Sequence, residues 1–399
     1  MMIKKELELY VHIPFCVRKC AYCDFLSAPA GADERAAYVD ALIREIRCMK
    51  KKYDEYRVST VFVGGGTPSV LDGDDTARIF EALQGSFDLA EDAEVTIEAN
   101  PGTVTEEKLA AWRASGISRL SIGLQSADDR ELKLLGRIHT WRDFLETYSL
   151  ARKAGFANIN VDLISAIPGQ TQAGWEKTLR TVAELGPEHI SAYSLIIEEG
   201  TPFFEHYGEG EKQPDTNGAA WPPLPDEDED RAIYEVTARL LQEYGYHRYE
   251  ISNYAKEGYE CRHNLGYWER TEYLGLGLGS SSLIRECRFH NTADMEKYLS
   301  VFSEGEETAS EEVCEKIREE KEFLTREEQM AEFMFLCLRE MKGVSLHRFR
   351  ECFGAELEQV YGEQIRKLKR EGLLEEQDGR LRLTPRGIDI SNYVFCEFV

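Results

Sequence analysis

In the first half of the chain, short runs of β-branched and other apolar residues alternate with longer stretches in which apolar positions recur every three or four residues. The runs at residues 7–13, 59–63, 94–99, 119–124, 158–164 and 189–197 predict strands, and the stretches between them predict amphipathic helices. Val39, Leu42, Ile43, Ile46 and Met49 mark one such helix face. A capping-box pattern, Thr103-x-x-Glu106, predicts the start of another helix that carries Leu109 and Trp112, with Gly116 at its end. Thr171 opens a third through Trp175, Leu179 and Val182, stopped at Gly186-Pro187. Strand–helix units in this alternation imply a parallel sheet. A partial (β/α)6 barrel and an open doubly wound sheet both satisfy the pattern, and in either one ligands collect at the carboxyl ends of the strands.

The second half changes character. Residues 207–230, rich in Gly, Pro and acidic side chains, read as a loop; 231–244 read as a helix with Ile233, Val236, Leu240 and Leu241 on one face; 273–284 read as a strand and tight turn. The strongly acidic stretch 304–328 reads as a solvated linker. Beyond it, an apolar helical pattern at 330–341, two amphipathic patterns within 344–374 and an alternating strand at 379–384 predict a winged-helix-like α+β domain. The expected division is a barrel core at 1–205, an extension at 206–303, the linker at 304–328 and the C-terminal domain at 329–399.

Composition narrows the class. Of 399 residues, 42% are hydrophobic, enough for a large packed core, and 73 acidic against 48 basic side chains leave a net charge of −25. So acidic a chain is repelled by phosphate backbones and anionic lipid headgroups, so nucleic-acid binding and polybasic membrane binding are not expected. The C-terminal region, nearly balanced in charge, does not alter this, and a lid or partner-docking role suits it better. No apolar run approaches the roughly 20 residues that span a bilayer, and the first residues lack a signal-peptide apolar block. A cytoplasmic location with reduced thiols follows as an expectation, which makes the cysteines candidates for metal binding or catalysis rather than disulfides.

Three of the ten cysteines, Cys16, Cys20 and Cys23, fall on one polar loop directly after the first strand. Soft thiolates so spaced suit zinc or an iron–sulfur cluster. Zinc commonly takes two separated pairs of ligands, and no second CxxC is present; three thiolates on a 4Fe–4S cubane leave one iron open to a small chelating molecule. CxxxCxxC after a first strand resembles the radical S-adenosylmethionine (SAM) superfamily, which uses a partial βα barrel. His12-Ile13-Pro14-Phe15-Cys16 with Tyr22-Cys23-Asp24-Phe25 resembles, more narrowly, the coproporphyrinogen-dehydrogenase-like group, which holds both the oxygen-independent coproporphyrinogen III dehydrogenases and the HemW-type heme chaperones.

The resemblance implies a 4Fe–4S cluster on the three cysteines and SAM as its exchangeable ligand. Gly64-Gly65-Gly66-Thr67-Pro68 ends the second strand in a turn whose backbone can approach a ligand closely. It matches the family's SAM-binding turn, with Gly65, Gly66 and Thr67 as contacts. Tyr10, Tyr22, Glu98, Gln125, Arg137 and Asp162 match further SAM positions. By charge, Arg137 suits the carboxylate, Glu98 the ammonium or ribose, and Gln125 with Asp162 the ribose hydroxyls.

Two features separate the branches. The dehydrogenases carry a fourth cysteine where this chain has Phe25. In addition, His263-Asn264-Leu265-Gly266-Tyr267-Trp268 matches the HNxxYW heme-binding signature of the chaperone branch. Imidazole can ligate heme iron, and the two aromatics offer flat faces to a porphyrin. Cys261, two residues earlier, is a weaker candidate for iron ligation or attack on a vinyl group. The resemblance therefore implies a heme chaperone that binds a 4Fe–4S cluster, SAM and heme and passes heme to acceptor hemoproteins, membrane respiratory enzymes among them, with membrane contact only through the partner and a homodimer allowed. The alternatives are a radical SAM decarboxylation of coproporphyrinogen III propionates in porphyrin biosynthesis, or a radical SAM enzyme of another substrate. Whether SAM is cleaved or only bound stays open, and with it whether the chain is an enzyme.

Overall fold

A computed structural model describes residues 4–208, 221–302 and 311–399. Six strands, β1 (Lys5–Ile13), β2 (Tyr56–Gly65), β3 (Leu89–Ala99), β4 (Arg119–Gln125), β5 (Asn158–Ser165) and β6 (His189–Ser194), lie side by side in chain order, each parallel to the next. The order never reverses, so there is no switch point of the doubly wound kind; successive crossovers advance one way and the sheet winds as a partial barrel.

Each strand reads in two phases. In β1, Leu7, Leu9, Val11 and Ile13 are wholly buried in the main core, with Val39, Leu42 and Ile46 of helix Ala32–Cys48 in the same cluster. The intervening Glu8, Tyr10 and His12 are polar. The same holds for Val161 and Leu163 against Asn160 and Asp162 in β5. The concave face of this barrel is therefore lined with groups that need partners, which sets up the sites described below.

The sheet runs on past both edges to twelve strands. The free edge of β1 pairs in parallel with Tyr273–Leu276, followed by antiparallel Ser281–Ile284, Cys287–Asn291 and Arg318–Phe323; β6 pairs antiparallel with Asn253–Ala255, itself joined to His247–Arg248. The extension thus flanks the six-stranded core on both sides.

The C-terminal region runs helix Arg326–Cys337, strand Val344–Ser345, helices Leu346–Phe353 and Leu357–Arg370, and strands Leu374–Gln377 and Arg380–Leu383. Its three strands pair antiparallel with Arg380–Leu383 in the middle, the winged-helix order. Phe333, Phe349, Phe353, Leu368 and Val394 belong to a core of its own.

Some local expectations are corrected. Helix Glu106–Ala114 is capped by Thr105, which accepts from Lys108 N, because the Thr103 hydroxyl donates to Asn100 O at 2.7 Å instead. Within the loop expected at 207–230, residues 209–220 lie outside the described residues. Helix Glu227–Glu243 begins four residues before its predicted start, since Asp226 caps it and four acidic side chains in its first turn suit the helix dipole. The stretch expected as an acidic linker is described from residue 311 on, and there it is structured: helix Glu311–Glu315 precedes the edge strand Arg318–Phe323. Charge does not prevent strand formation at an edge, where side chains reach water or partners. Lys297 reaches Glu319, and the Arg318 guanidinium lies 4.4 Å from the Phe289 ring centre.

Candidate functional site

The cysteine loop is pinned at several points. Ala28 N donates to Pro14 O, Cys16 N to Ala28 O and Ala21 N to Leu135 O, at 3.0–3.1 Å. Cys16, Cys20 and Cys23 are free thiols of intermediate exposure, and all three line one cavity of about 450 Å3 at the carboxyl ends of the strands. Eight of the nine residues predicted to contact SAM line the same cavity: Tyr22, Gly65, Gly66, Thr67, Glu98, Gln125, Arg137 and Asp162. Tyr10 does not. Its hydroxyl lies 3.1 Å from His12 Nδ1, and it lines a second cavity instead.

Local conformation explains why these residues converge. Gly65 adopts φ +110°, and a Cβ there would sit 2.5 Å from the His12 imidazole, so only glycine brings the end of β2 this close to the end of β1, where the cysteine loop begins. Gln125 has φ +75° at a break in the β4–β5 register, an uncommon conformation for a side-chain-bearing residue, at the cavity wall. Arg137 Nη2 donates to Asn100 Oδ1 at 2.6 Å and to Gly123 O at 2.8 Å, and Nη1 lies 3.6 Å from Cys20 Sγ. Asn100 Nδ2 in turn donates to Thr67 Oγ1 at 2.8 Å. Asn100 was not predicted, although it stands two residues after Glu98 in the same strand-end run.

The two acids on the concave face are held differently. Gly65 N donates to Glu98 Oε2 at 3.2 Å, yet burial, reinforced by the neighbouring Asp162, pushes the Glu98 carboxyl up to about 8. Asp162 accepts from Ser121 Oγ and Asn160 Nδ2, both at 2.8 Å, and burial raises it as well.

This donor set fits the groups the sequence implies. Among the described residues no three His, Cys, Asp or Glu side chains come together as a single-ion site requires, so the three thiols are not arranged as ligands of one zinc. All three line one cavity, and soft thiolates are the donors an iron–sulfur cluster takes. Arg137 Nε is buried without a hydrogen-bond partner, an unmet donor beside Cys20 where an anionic group would be held.

The heme motif lies elsewhere. Helix Arg262–Trp268 packs against the middle of β1, β2 and β3 through Glu8, Thr60, Phe62 and Glu94. Gly266 makes this approach possible: a Cβ there would collide with the Glu8 carboxyl. His263 is 1% exposed. Its Nδ1 is 2.6 Å from Thr60 Oγ1, its Nε2 is 3.0 Å from the Tyr267 hydroxyl, and its ring stacks on Phe62. Burial, aided by Arg119, lowers the imidazole to about 3, so it is neutral. Both ring nitrogens of His263 are thus engaged, Nδ1 by Thr60 and Nε2 by Tyr267. Cys261 is also buried, with its thiol pushed up to about 12 by desolvation and its Sγ 3.6 Å from Glu94 Oε1.

Tyr267 and Trp268 line a second cavity, whereas His263 and Asn264 do not. The two aromatics line the second cavity, of about 600 Å3, together with Tyr10, Tyr273 and, from the C-terminal domain, Phe335 and Leu336. The cavities are close neighbours: His12 lines the second one and packs beneath Gly65 of the first, while its Nε2 is 2.9 Å from Leu26 O just after the cysteine loop.

The radical SAM superfamily model matches residues 10–182 and the HemN C-terminal domain model residues 324–390. The heme chaperone HemW of Lactococcus lactis is 34% identical over 398 residues, covering 100% of this chain and 98% of its own. The chain belongs to the radical SAM superfamily, in its HemN/HemW group. The heme chaperone HemW of Escherichia coli is 40% identical over 275 residues, 69% of either chain. The solved coproporphyrinogen III oxidase HemN of Escherichia coli, a radical SAM enzyme, superposes with a TM-score of 0.81 at 24% identity, covering 99% of this chain and 90% of that one. That likeness is one of fold. Membership of the radical SAM family implies a 4Fe–4S cluster and SAM. Among the described residues no helix is long and apolar enough to cross a membrane.

Proposed function

We propose that this chain is a heme chaperone: it holds a 4Fe–4S cluster on Cys16, Cys20 and Cys23, SAM in the adjoining cavity and heme in the second cavity, and it delivers heme in the cytoplasm to acceptor hemoproteins such as respiratory enzymes. The observation that carries the reading is the opening of Tyr267 and Trp268, the aromatic pair of the heme signature, onto a large cavity walled by further aromatic side chains and separate from the cysteine loop. Flat aromatic walls suit a porphyrin. When bound, the cluster and SAM supply reductive C–S bond chemistry, for which the protein orients and shields the reactants. Arg137 holds the SAM carboxylate, Glu98 its ammonium or ribose, and Gln125 and Asp162 the ribose hydroxyls.

Within the heme signature the roles divide. Tyr267 lines the cavity and His263 does not, so in this reading the Tyr267 phenol would be the side chain that ligates the heme iron. His263 Nε2, 3.0 Å from that hydroxyl, stays neutral and orients the phenol by a hydrogen bond. Thr60 and Glu8 hold the imidazole from its other side, with Glu8 Oε2 4.0 Å from Nδ1.

Anaerobic reconstitution followed by addition of heme, SAM and coproporphyrinogen III tests the reading. Stable heme uptake and transfer to an apo-hemoprotein is the expected result. Conversion of coproporphyrinogen to protoporphyrinogen would overturn it in favour of a decarboxylating enzyme.

A further inference from the structure

The second cavity has one charged corner. Arg270 stands two residues beyond Trp268, and Arg288 projects from strand Cys287–Asn291; both line the cavity. Between them lies Glu332 of helix Arg326–Cys337 in the C-terminal domain. Arg270 Nε is 3.0 Å from Glu332 Oε2, and Arg288 Nη2 is 2.6 Å from Glu332 Oε1. The side chains of Arg270 and Glu332 are 8% and 9% exposed. Two guanidinium groups thus converge on a single carboxylate at the rim of an otherwise largely apolar and aromatic chamber. Arg270 also reaches Glu286 at 2.7 Å, but that carboxylate is 46% exposed and lies on the solvent side. Trp268, on the chamber wall, keeps its indole N–H buried without an acceptor.

We propose that Arg270 and Arg288 form a clamp for the carboxylates of the porphyrin, and that Glu332 occupies the clamp until the porphyrin displaces it. This rests on the heme reading above and adds to it the residues that recognise the propionates. Guanidinium groups favour paired carboxylate geometry, and in a half-buried site such contacts are stronger than on an open surface. Glu332 belongs to the C-terminal domain and the two arginines to the barrel extension, so carboxylate exchange at this point also removes one of the ties between them. Other ties stay in place, among them Arg348 to Glu269 at 2.7 Å, the Arg339 guanidinium 4.3 Å from the Trp268 ring centre, and Met341 N to Tyr249 O at 2.9 Å. Loading of the chamber is therefore coupled to how firmly the C-terminal domain is held.

The test compares heme with heme dimethyl ester, which lacks the free carboxylates, by spectral titration of the full chain. Arg288→Gln, at a side chain 40% exposed, is expected to weaken heme binding roughly tenfold, as loss of a charged hydrogen bond does, and to leave the ester unchanged. Glu332→Gln is expected to tighten heme binding severalfold, again without effect on the ester, because it removes the competing charge. Limited proteolysis should show the C-terminal domain released by heme in the natural chain but not by the ester. If heme and ester bind equally and neither substitution alters their ratio, the clamp is overturned while heme binding stands. If neither porphyrin binds the natural chain, the clamp and the heme reading both fall.

Discussion

The Tyr267 hydroxyl sits 3.0 Å from Nε2 of His263, so the aromatic that borders the open cavity covers the histidine behind it. Four residues apart on one helix, the two side chains share a face and act as a unit. The heme signature is thus a layered device: His263 is anchored in the barrel through Thr60, and Tyr267 stands in front of it.

That layering separates the effects of the two residues. Tyr267→Phe conserves volume and should leave the fold intact while shifting the absorption spectrum of bound ferric heme and weakening binding about tenfold. His263→Ala empties a fully buried site and removes the partners of Thr60 and Tyr267, which should cost about 2–3 kcal/mol of stability. Spectral titration alongside thermal unfolding distinguishes them. An unchanged heme spectrum in Tyr267→Phe would remove Tyr267 from the ligating role.

Gly266 tests the seating of the helix. A methyl group there collides with the buried Glu8 carboxyl, so Gly266→Ala should destabilise the chain by about 2–3 kcal/mol, as overpacking does. Heme binding should fall with it, because Tyr267 and Trp268 are carried on the same short helix. A denaturant titration with an unchanged midpoint would contradict this packing.

Arg137→Lys keeps the charge but loses the fork that engages Asn100, Gly123 and Cys20 at once. SAM affinity should drop roughly tenfold or more, whereas heme affinity at the neighbouring cavity should be unaffected. Equilibrium dialysis with SAM and the heme titration together read out both.

Glu98 predicts a pH dependence with a definite sign. Its carboxyl titrates at about 8 in the folded chain against about 4.3 when unfolded, so the folded state holds the extra proton between those values. Stability therefore decreases as pH rises through that window. His263, lowered to about 3, acts oppositely: below about 6.5 the unfolded chain takes up a proton that the folded chain refuses, and stability is lost as pH falls toward 3. Thermal unfolding of the ligand-free chain should show Glu98→Gln flattening the alkaline decline without altering the acid limb. A decline of the same slope in Glu98→Gln would refute the assignment to that carboxyl.

Much of this protein was determined by order along the chain. The strand–helix alternation specifies the six parallel strands, because period-two and period-3.6 patterns are local properties. The cysteine loop, glycine turn and strand-end polar residues could be found because each follows a strand's carboxyl end, and parallel strands bring those ends together whatever the details of packing. Periodicity alone could not choose between barrel and doubly wound sheet, since that depends on which strands become neighbours; the resemblance carried by the cysteine motif pointed to the partial barrel. Nor could sequence order show that Tyr10 turns away from the cysteine loop, that Tyr267 and not His263 lines the second cavity, or that residues 318–323 complete a sheet. Those outcomes depend on contacts between segments far apart in the chain, such as Glu8 with Gly266 and Arg288 with Glu332, and only the packed tertiary structure decides them.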